Sequence, residues 1–522
     1  MKSNTRREFL ADIGRGMLIG SVGSSLAFDL GLAPAFAGED TNKLTFGDME
    51  PLVSAMQETP LDKLQTMLIK KLNAGTDLQT LISAAALANT RSFGGQDYIG
   101  FHTFMALAPA YQMTRELPSE HKALPVLKVL YRNTAQIQDT DSQHNEVLHP
   151  VKPLTLPKGS PGGPLLQAAT RSADYDKAEG TFAALAQGPV DQAFNDLQYA
   201  IQDELNVHRV VLSWRAWAML DMVGQAHAHS LLRQSVRFCV KSEQGLNNSK
   251  RPPSKIRTVL PMLLDQYSLL SKPLGTRKVD DPWIDTIIET LAQTIYRSTP
   301  EQAADAAAAA LAEGFQPEAV GEAISLASNA LVLHDQGRTK ARPDKPIGSV
   351  HGDSIGVHAS DSANAWRNIA RVSNKRNTIA SLIVGAYHTA VGRYNSKLNE
   401  LPYPLDEQLE SITSRDPKKL IQEADAAIRN KDQFRAAAII HQYGKLGQSA
   451  RPVFDLLIKY ATSEDGALHA EKYYCTVKEE FNTTREAFRW RQLVALARVT
   501  ASEYGKPSPG YAEACGLLKI NS

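Results

Sequence analysis

Thirteen histidines are spread through the 522 residues, and imidazole is the side chain that both ligates transition metals and exchanges protons near neutral pH. Two of them share a setting: Gly100-Phe101-His102 and Gly356-Val357-His358 each place one histidine in an apolar stretch. His208 after Val207 and His469 after Leu468 open further segments of helical spacing in the same way. A lone histidine on an apolar helix is most often a hydrogen-bonded core or surface group. Four in matching surroundings form a candidate ligand set, and four imidazoles, or three with a carboxylate, suit iron, copper, manganese or zinc. Asp361 falls three residues after His358 and so on its helix face, whereas Glu471 falls two after His469 and off it. Asp361 is therefore the candidate carboxylate, as a ligand or as the group that orients one.

Two weaker candidates follow. His227 and His229 form an H-x-H pair whose members point to different sides of a helix, so one at most joins a common site, and His227 is the better placed. Arg489, with Arg485 and Arg491 on one predicted helix, offers anion recognition, against the plainer reading of surface salt-bridge partners. His121, His144 and His149 sit in loops and read as solvated. No HExxH, GxSxG, P-loop or dinucleotide glycine fingerprint is present, and no pair of ExxH motifs of the di-iron kind.

The elements that carry these residues read as helices throughout, since no window alternates with period two over a useful length. Residues 61–72 and 78–88 form a predicted hairpin, with Gly75 as stop and Asp77 as N-cap. Pro109 predicts a kink or break in 101–113. Residues 143–164, rich in Pro, Gly and His, form the longest irregular stretch, of a length more often functional than idle. The second half restarts in the manner of the first: setting Gly75 on Gly314 sets Leu81 on Val320, Ala84 on Ala323 and Leu87 on Leu326, an offset of 239. After an insertion spanning 334–353, with Arg338, Lys340, Arg342 and Lys345, His358 falls where His102 falls, and His469 later coincides with His208. The fold class expected is all-α, in two duplicated helical lobes, 38–250 and 251–522, related by a pseudo-twofold axis, with the paired histidines converging where the lobes meet.

Composition excludes several classes. Lysine plus arginine number 57 against 56 acidic residues, which gives no basic patch for nucleic acid. Three cysteines are too few for a disulfide framework, although a single Cys239–Cys475 bridge stays open. No stretch beyond the leader is apolar enough to span a membrane.

At the N-terminus, Thr5-Arg6-Arg7-Glu8-Phe9-Leu10 resembles the twin-arginine translocation motif, followed by a glycine-rich apolar stretch and Ala35-Phe36-Ala37, with cleavage expected after Ala37. The resemblance implies a signal peptide over 1–37, the twin-arginine translocase as a transient partner, and export in the folded state to the periplasm or another extracytoplasmic space, often with a cofactor already inserted. His358-Ala359-Ser360-Asp361-Ser362-Ala363-Asn364-Ala365 resembles the histidine-bearing helix of questin oxidase-like proteins, a helical family linked to Baeyer-Villiger-type oxidation. Two function classes follow: a metal- or cofactor-dependent oxidoreductase acting on a small molecule, or a non-enzymatic envelope scaffold or partner protein whose histidines are satisfied core groups.

Overall fold

The computed structural model describes residues 43–520 apart from 141–144, 278–282, 342–344, 351, 353, 395–397 and 399–402. The leader, His144 and Arg342 therefore lie outside the described residues. Within them the chain is all-α, and pairing between extended segments is limited to two isolated bridges, Asp335 with Leu398 and Glu464 with Pro507.

A first series of helices comprises α1 (Glu50–Glu58), α2 (Leu61–Asn73), α3 (Leu78–Phe93), α4 (Tyr98–Met113), α5 (Leu124–Asp139), α6 (Gly162–Arg171), α7 (Tyr175–Leu185), α8 (Val190–Ile201), α9 (Val207–Val223), α10 (Ala228–Ser249) and α11 (Ile256–Gln266). A second series comprises α12 (Ile284–Arg297), α13 (Pro300–Ala312), α14 (Pro317–Leu333), α15 (Ile355–Val372), α16 (Lys375–Tyr394), α17 (Asp406–Glu410), α18 (Pro417–Arg429), α19 (Gln433–Lys445), α20 (Arg451–Ser463), α21 (Ala470–Thr483), α22 (Trp490–Glu503) and α23 (Tyr511–Leu518).

Local chemistry sets these boundaries. Between α2 and α3, Gly75 takes φ 97°, a left-handed turn that a side chain resists, and Asp77 accepts the Thr80 N–H at 2.7 Å to cap α3. Gly314 repeats the turn at φ 89° before α14, which begins with proline at its first position. Leu61 and Pro300 open α2 and α13, and Leu78 and Pro317 open α3 and α14, both pairs 239 residues apart. Pro109 does not break α4, which continues to Met113. The irregular stretch is a strap held by the core: Val147 and Leu148 both donate to the Arg91 carbonyl, Arg233 donates to His149 O at 2.7 Å, and Leu148 is fully buried.

The two series interlock. α9 packs on α15 while α21 packs on α4; α11 packs on α13 and α16 while α23 packs on α2 and α5. One apolar cluster runs from Leu44 to Ala390 and takes in Ala514 and Cys515, and a second, from Ile412 to Ala501, also takes in Met113, Val332 and Val357. The core thus does not divide at residue 250. Buried charges clamp the crossing: Lys128 of α5 donates to Ala461 O at 2.8 Å and Glu464 O at 3.0 Å and pairs with Glu471 at 3.0 Å, while Arg132 grips Glu471 and Asp465. Such pairs fix one arrangement more than they add stability, but removing one partner strands the other. Cys239, Cys475 and Cys515 are all free and buried, so the bridge left open in the sequence is not formed.

Candidate metal centre

Four helices close a cycle around one point: α4 on α9, α9 on α15, α15 on α21, and α21 on α4. Each brings one histidine at or near its N-terminal end. Asp97 caps α4 by accepting the Gly100 N–H at 2.6 Å, Asn206 caps α9 by accepting the His208 N–H at 2.8 Å, and Ser354 caps α15 through Val357 N at 3.3 Å. The glycines two residues before His102 and His358 are required by contact. A Cβ on Gly100 would meet the Phe93 ring at 2.5 Å, and one on Gly356 would meet the Val332 backbone at 2.7 Å. The glycines let the first turns of α4 and α15 lie against the preceding helices, which aims the histidines inward.

The resulting ring is continuous. His102 and His208 have ring centroids 4.7 Å apart, His208 and His358 5.5 Å, His358 and His469 4.9 Å, and His469 and His102 5.2 Å. One ring nitrogen each of His102, His358 and His469 lie within 4.8 Å of one another. The Nε2 atoms of His358 and His469 are 3.1 Å apart. Nδ1 of His102 meets Tyr98 O at 2.6 Å and Nδ1 of His469 meets Ala467 O at 2.7 Å. A carbonyl only accepts, so Nδ1 carries the proton in both and each Nε2 offers a lone pair. Nε2 of His102 and of His208 are buried and have no hydrogen-bond partner. For metal–nitrogen bonds of ~2.0–2.1 Å, neighbouring ligands stand ~3.3 Å apart in a tetrahedron and ~2.9 Å in an octahedron, which brackets the His358–His469 separation.

The electrostatics favour neutral imidazole. Burial pushes His208 down to about 3, with His358 and then Lys472 adding to it, and His358 down to about 4, with Lys472 adding, and it lowers His102 and His469 as well. Four helix N-termini act in the same direction. Neutral imidazole is the form that ligates. Backbone strain accompanies this arrangement: Ala467 and Leu468 both adopt φ above zero, at 52° and 68°, immediately before His469. Non-glycine residues in this region cost ~1–2 kcal/mol each, and the turn is what presents Ala467 O to the His469 ring.

Lys472 and Asp361 stand beside the ring. Both are buried; burial lowers Lys472 to about 7, with Asp361 opposing, and raises Asp361, with Lys472 opposing. The Asp361 carboxylate accepts Thr476 Oγ1–H at 2.8 Å, and neither it nor His208 belongs with the nitrogens of His102, His358 and His469 that lie within 4.8 Å of one another. The place of Asp361 is therefore beside Lys472 and Thr476, one turn behind His358. His388 of α16 accepts the Trp366 indole N–H at 3.3 Å and is pushed down to about 4, by burial and then by His358. The sequence reading missed Lys472, although it stands three residues after His469 and so on its face; His388 had no such signal.

The other candidates lie elsewhere. His227 sits just before α10 with its ring edge on Phe46, at 5.7 Å. His229 stacks on Phe182 at 5.7 Å. Arg489 pairs with Glu486 at 3.2 Å and lies over the Phe481 ring, which is the surface salt-bridge role.

His208 and His358 are only partly buried; near them in sequence Tyr98, Ile99 and Ile355 are 55%, 41% and 42% exposed, and the Tyr98 ring is 5.6 Å from that of His208. A cavity of about 30 Å³ touches His469, Tyr473, Glu464 and Glu503, room for roughly two waters. No protein-family model matches the chain, and neither does any curated protein or solved structure.

Proposed function

We propose that the four-histidine ring holds one transition-metal ion and that the protein is an exported, metal-dependent oxidoreductase acting on a small, largely apolar molecule. The observation that carries this reading is the convergence of one ring nitrogen each from His102, His358 and His469, with Nε2 of His102 and of neighbouring His208 buried without any partner. An unsatisfied buried acceptor costs ~1–3 kcal/mol, and a metal ion answers several at once. An all-nitrogen set favours iron, copper or zinc over the hard cations, manganese being the least suited of those considered, and the chain carries no nucleophile motif that would suggest hydrolysis. Tyr98, Ile99 and Ile355 would receive an apolar substrate, and Lys472, poised near neutrality, would supply or take a proton. We further propose that the two helical series are copies of one unit about a pseudo-twofold axis through the ring, and that the leader directs the folded chain to the twin-arginine translocase, so that the metal enters before export.

A second reading has its own observation. His358 Nε2–H donating to His469 Nε2 at 3.1 Å is a satisfactory hydrogen bond without any ion, and a protonated Lys472 repels a cation. That is the reading of a helical scaffold or partner protein of the cell envelope. Elemental analysis and absorption spectroscopy of the full chain, purified with its leader after growth with iron, copper, manganese and zinc, separate the two. About one ion per chain, lost in His469→Ala, supports the metal site; a metal-free chain under all four supplements supports the scaffold.

A further inference from the structure

We infer that a cavity in the second helical series, apart from the histidine ring, is a binding site for a small uncharged alcohol, an apolar body that carries a hydroxyl. The cavity, of about 280 Å³, is lined by residues of α12, α14, α19 and α22 and by Tyr403 and Pro404. That is near the lower end of the range occupied by small-molecule sites. None of the four ring histidines lines it.

The wall is electrically balanced before any guest arrives. Among the described residues that line it, the only carboxylate and the only guanidinium are those of Glu289 and Arg491, and they pair with each other at 2.7 Å. Gln293 donates to the same carboxylate at 3.1 Å and accepts from Arg297 at 3.2 Å, so its amide is engaged at both ends. His441 is pushed below its usual value by burial, with Lys445 and Arg491 adding, and so is neutral at pH 7. A charged guest would give up its hydration for a wall whose charges are already matched, which disfavours cation and anion alike. An uncharged guest meets no such cost.

What the wall lacks is a hydroxyl. Asn329 of α14 is 1% exposed, and its amide nitrogen donates to Arg491 O at 3.3 Å and to Gln492 Oε1 at 3.1 Å. A backbone carbonyl only accepts, so the orientation of this amide is set, and its own oxygen Oδ1 is the end left buried without a partner. The Tyr403 hydroxyl is also buried without a partner, while its ring lies under the Arg498 guanidinium at 4.7 Å. Buried apolar cavities stay empty, but buried acceptors and donors call for water or ligand. A hydroxyl both donates and accepts, and so suits the asparagine oxygen and the tyrosine alike. Ala292, Leu326, Ala330, Leu333 and Val494 supply the apolar part of the lining. Water would answer the two polar groups and leave that apolar surface wet; an alcohol answers both.

The test is isothermal titration of the purified full chain with benzyl alcohol, beside toluene, benzoate and benzylammonium, probes of similar size that lack the hydroxyl or carry a charge. Saturable binding of benzyl alcohol is expected, about tenfold or more tighter than that of the other three. Ala330→Leu, which fills the space, should weaken it about tenfold or more. If that variant does not fold, Tyr403→Phe reads the same site and should weaken binding several-fold at unchanged melting temperature. Folded His469→Ala should bind benzyl alcohol as the wild type does, so the outcome is independent of whether the ring holds a metal. No saturable binding by the wild type, equal or tighter binding of toluene, benzoate or benzylammonium, loss of binding in folded His469→Ala, or unchanged affinity in Tyr403→Phe overturns the proposal.

Discussion

One edge of the histidine ring comes from two helices of the first series and the opposite edge from two of the second, and they are built from opposite materials. Between α15 and α21 the contact is polar along its length: His358 meets His469, Thr476 donates to Asp361, Asn364 donates to Glu479 at 3.0 Å and Glu480 at 2.9 Å, and Asn368 donates to Glu479 at 3.1 Å. Between α4 and α9 it is apolar and aromatic: the Phe101 ring lies 5.0 Å from that of His208, as His102 does at 4.7 Å, and Met105 and Val211 are buried. Three residues after the four histidines stand Met105 and Val211 on one edge, and Asp361 and Lys472 on the other. One edge bonds its two imidazoles to each other and sets Lys472 and Asp361 beside them; on the other, His102 is tied only to its own helix at Tyr98 O, His208 is held by packing, and two Nε2 atoms are left to be satisfied. Four like side chains have thus been given two unlike environments.

That contrast can be broken most severely at the ligands. His469→Ala should lower metal affinity at least about a hundredfold, whereas His208→Ala, on the adjustable edge, should cost about tenfold, both read by competition with a chelator. Equal losses would remove the distinction between the edges. Next is Asp361→Asn, which leaves Lys472 buried beside a neutral amide. Urea unfolding of the metal-free chain should show a loss of about 1 kcal/mol at pH 6, below the Lys472 value of about 7, that disappears by pH 9 where Lys472 is neutral. Met105→Ala, at the matching place on the apolar edge, should cost about 2–3 kcal/mol with no such pH dependence.

Acid should loosen the ring as a whole. A histidine lowered in the folded state from an unfolded value near 6.5 binds fewer protons folded than unfolded between the two values. Stability is then complete above pH 6.5 and declines as pH falls toward 4, by about 2 kcal/mol per ring for His208 and His358 at pH 5. A chain equally stable at pH 5 and pH 7 would contradict this. The smallest effect is expected of Leu468→Gly. Removing one left-handed strain should gain no more than about 1 kcal/mol in unfolding free energy while weakening metal binding several-fold, since the turn that aims His469 is loosened.

Much of this was legible in the sequence. Helical periodicity and the Gly75 and Asp77 punctuation place α2 and α3 within a few residues, because these boundaries are decided locally. The four ring histidines are legible for a different reason: each is a polar group in an apolar stretch, and the stretches recur. The residues that set their electrostatics are not, because Lys472 and His388 matter only through burial between helices far apart in sequence. His227 and Arg489 illustrate the opposite failure, since residue type and neighbours drew attention to side chains that the packing directs to Phe46 and to Glu486. The exchange of helices between the two series left no local mark either; it is why the core ignores the expected boundary at residue 250.

That exchange bears on how the protein is made. With α21 seated on α4 and α23 on α2 and α5, and α11 seated on α13 and α16, the first series emerging from a ribosome lacks both the helices that complete its surface and the seat for its own last helix, and His102 and His208 wait for His469. Long-range closures of this kind are slow and leave apolar surface open while they wait. The ring is then among the last features to form, only after some 480 residues have been translated, and its completion reports that the entire chain has folded. For a protein whose leader resembles one that admits only folded passengers, a site that matures last would double as a certificate of readiness for export.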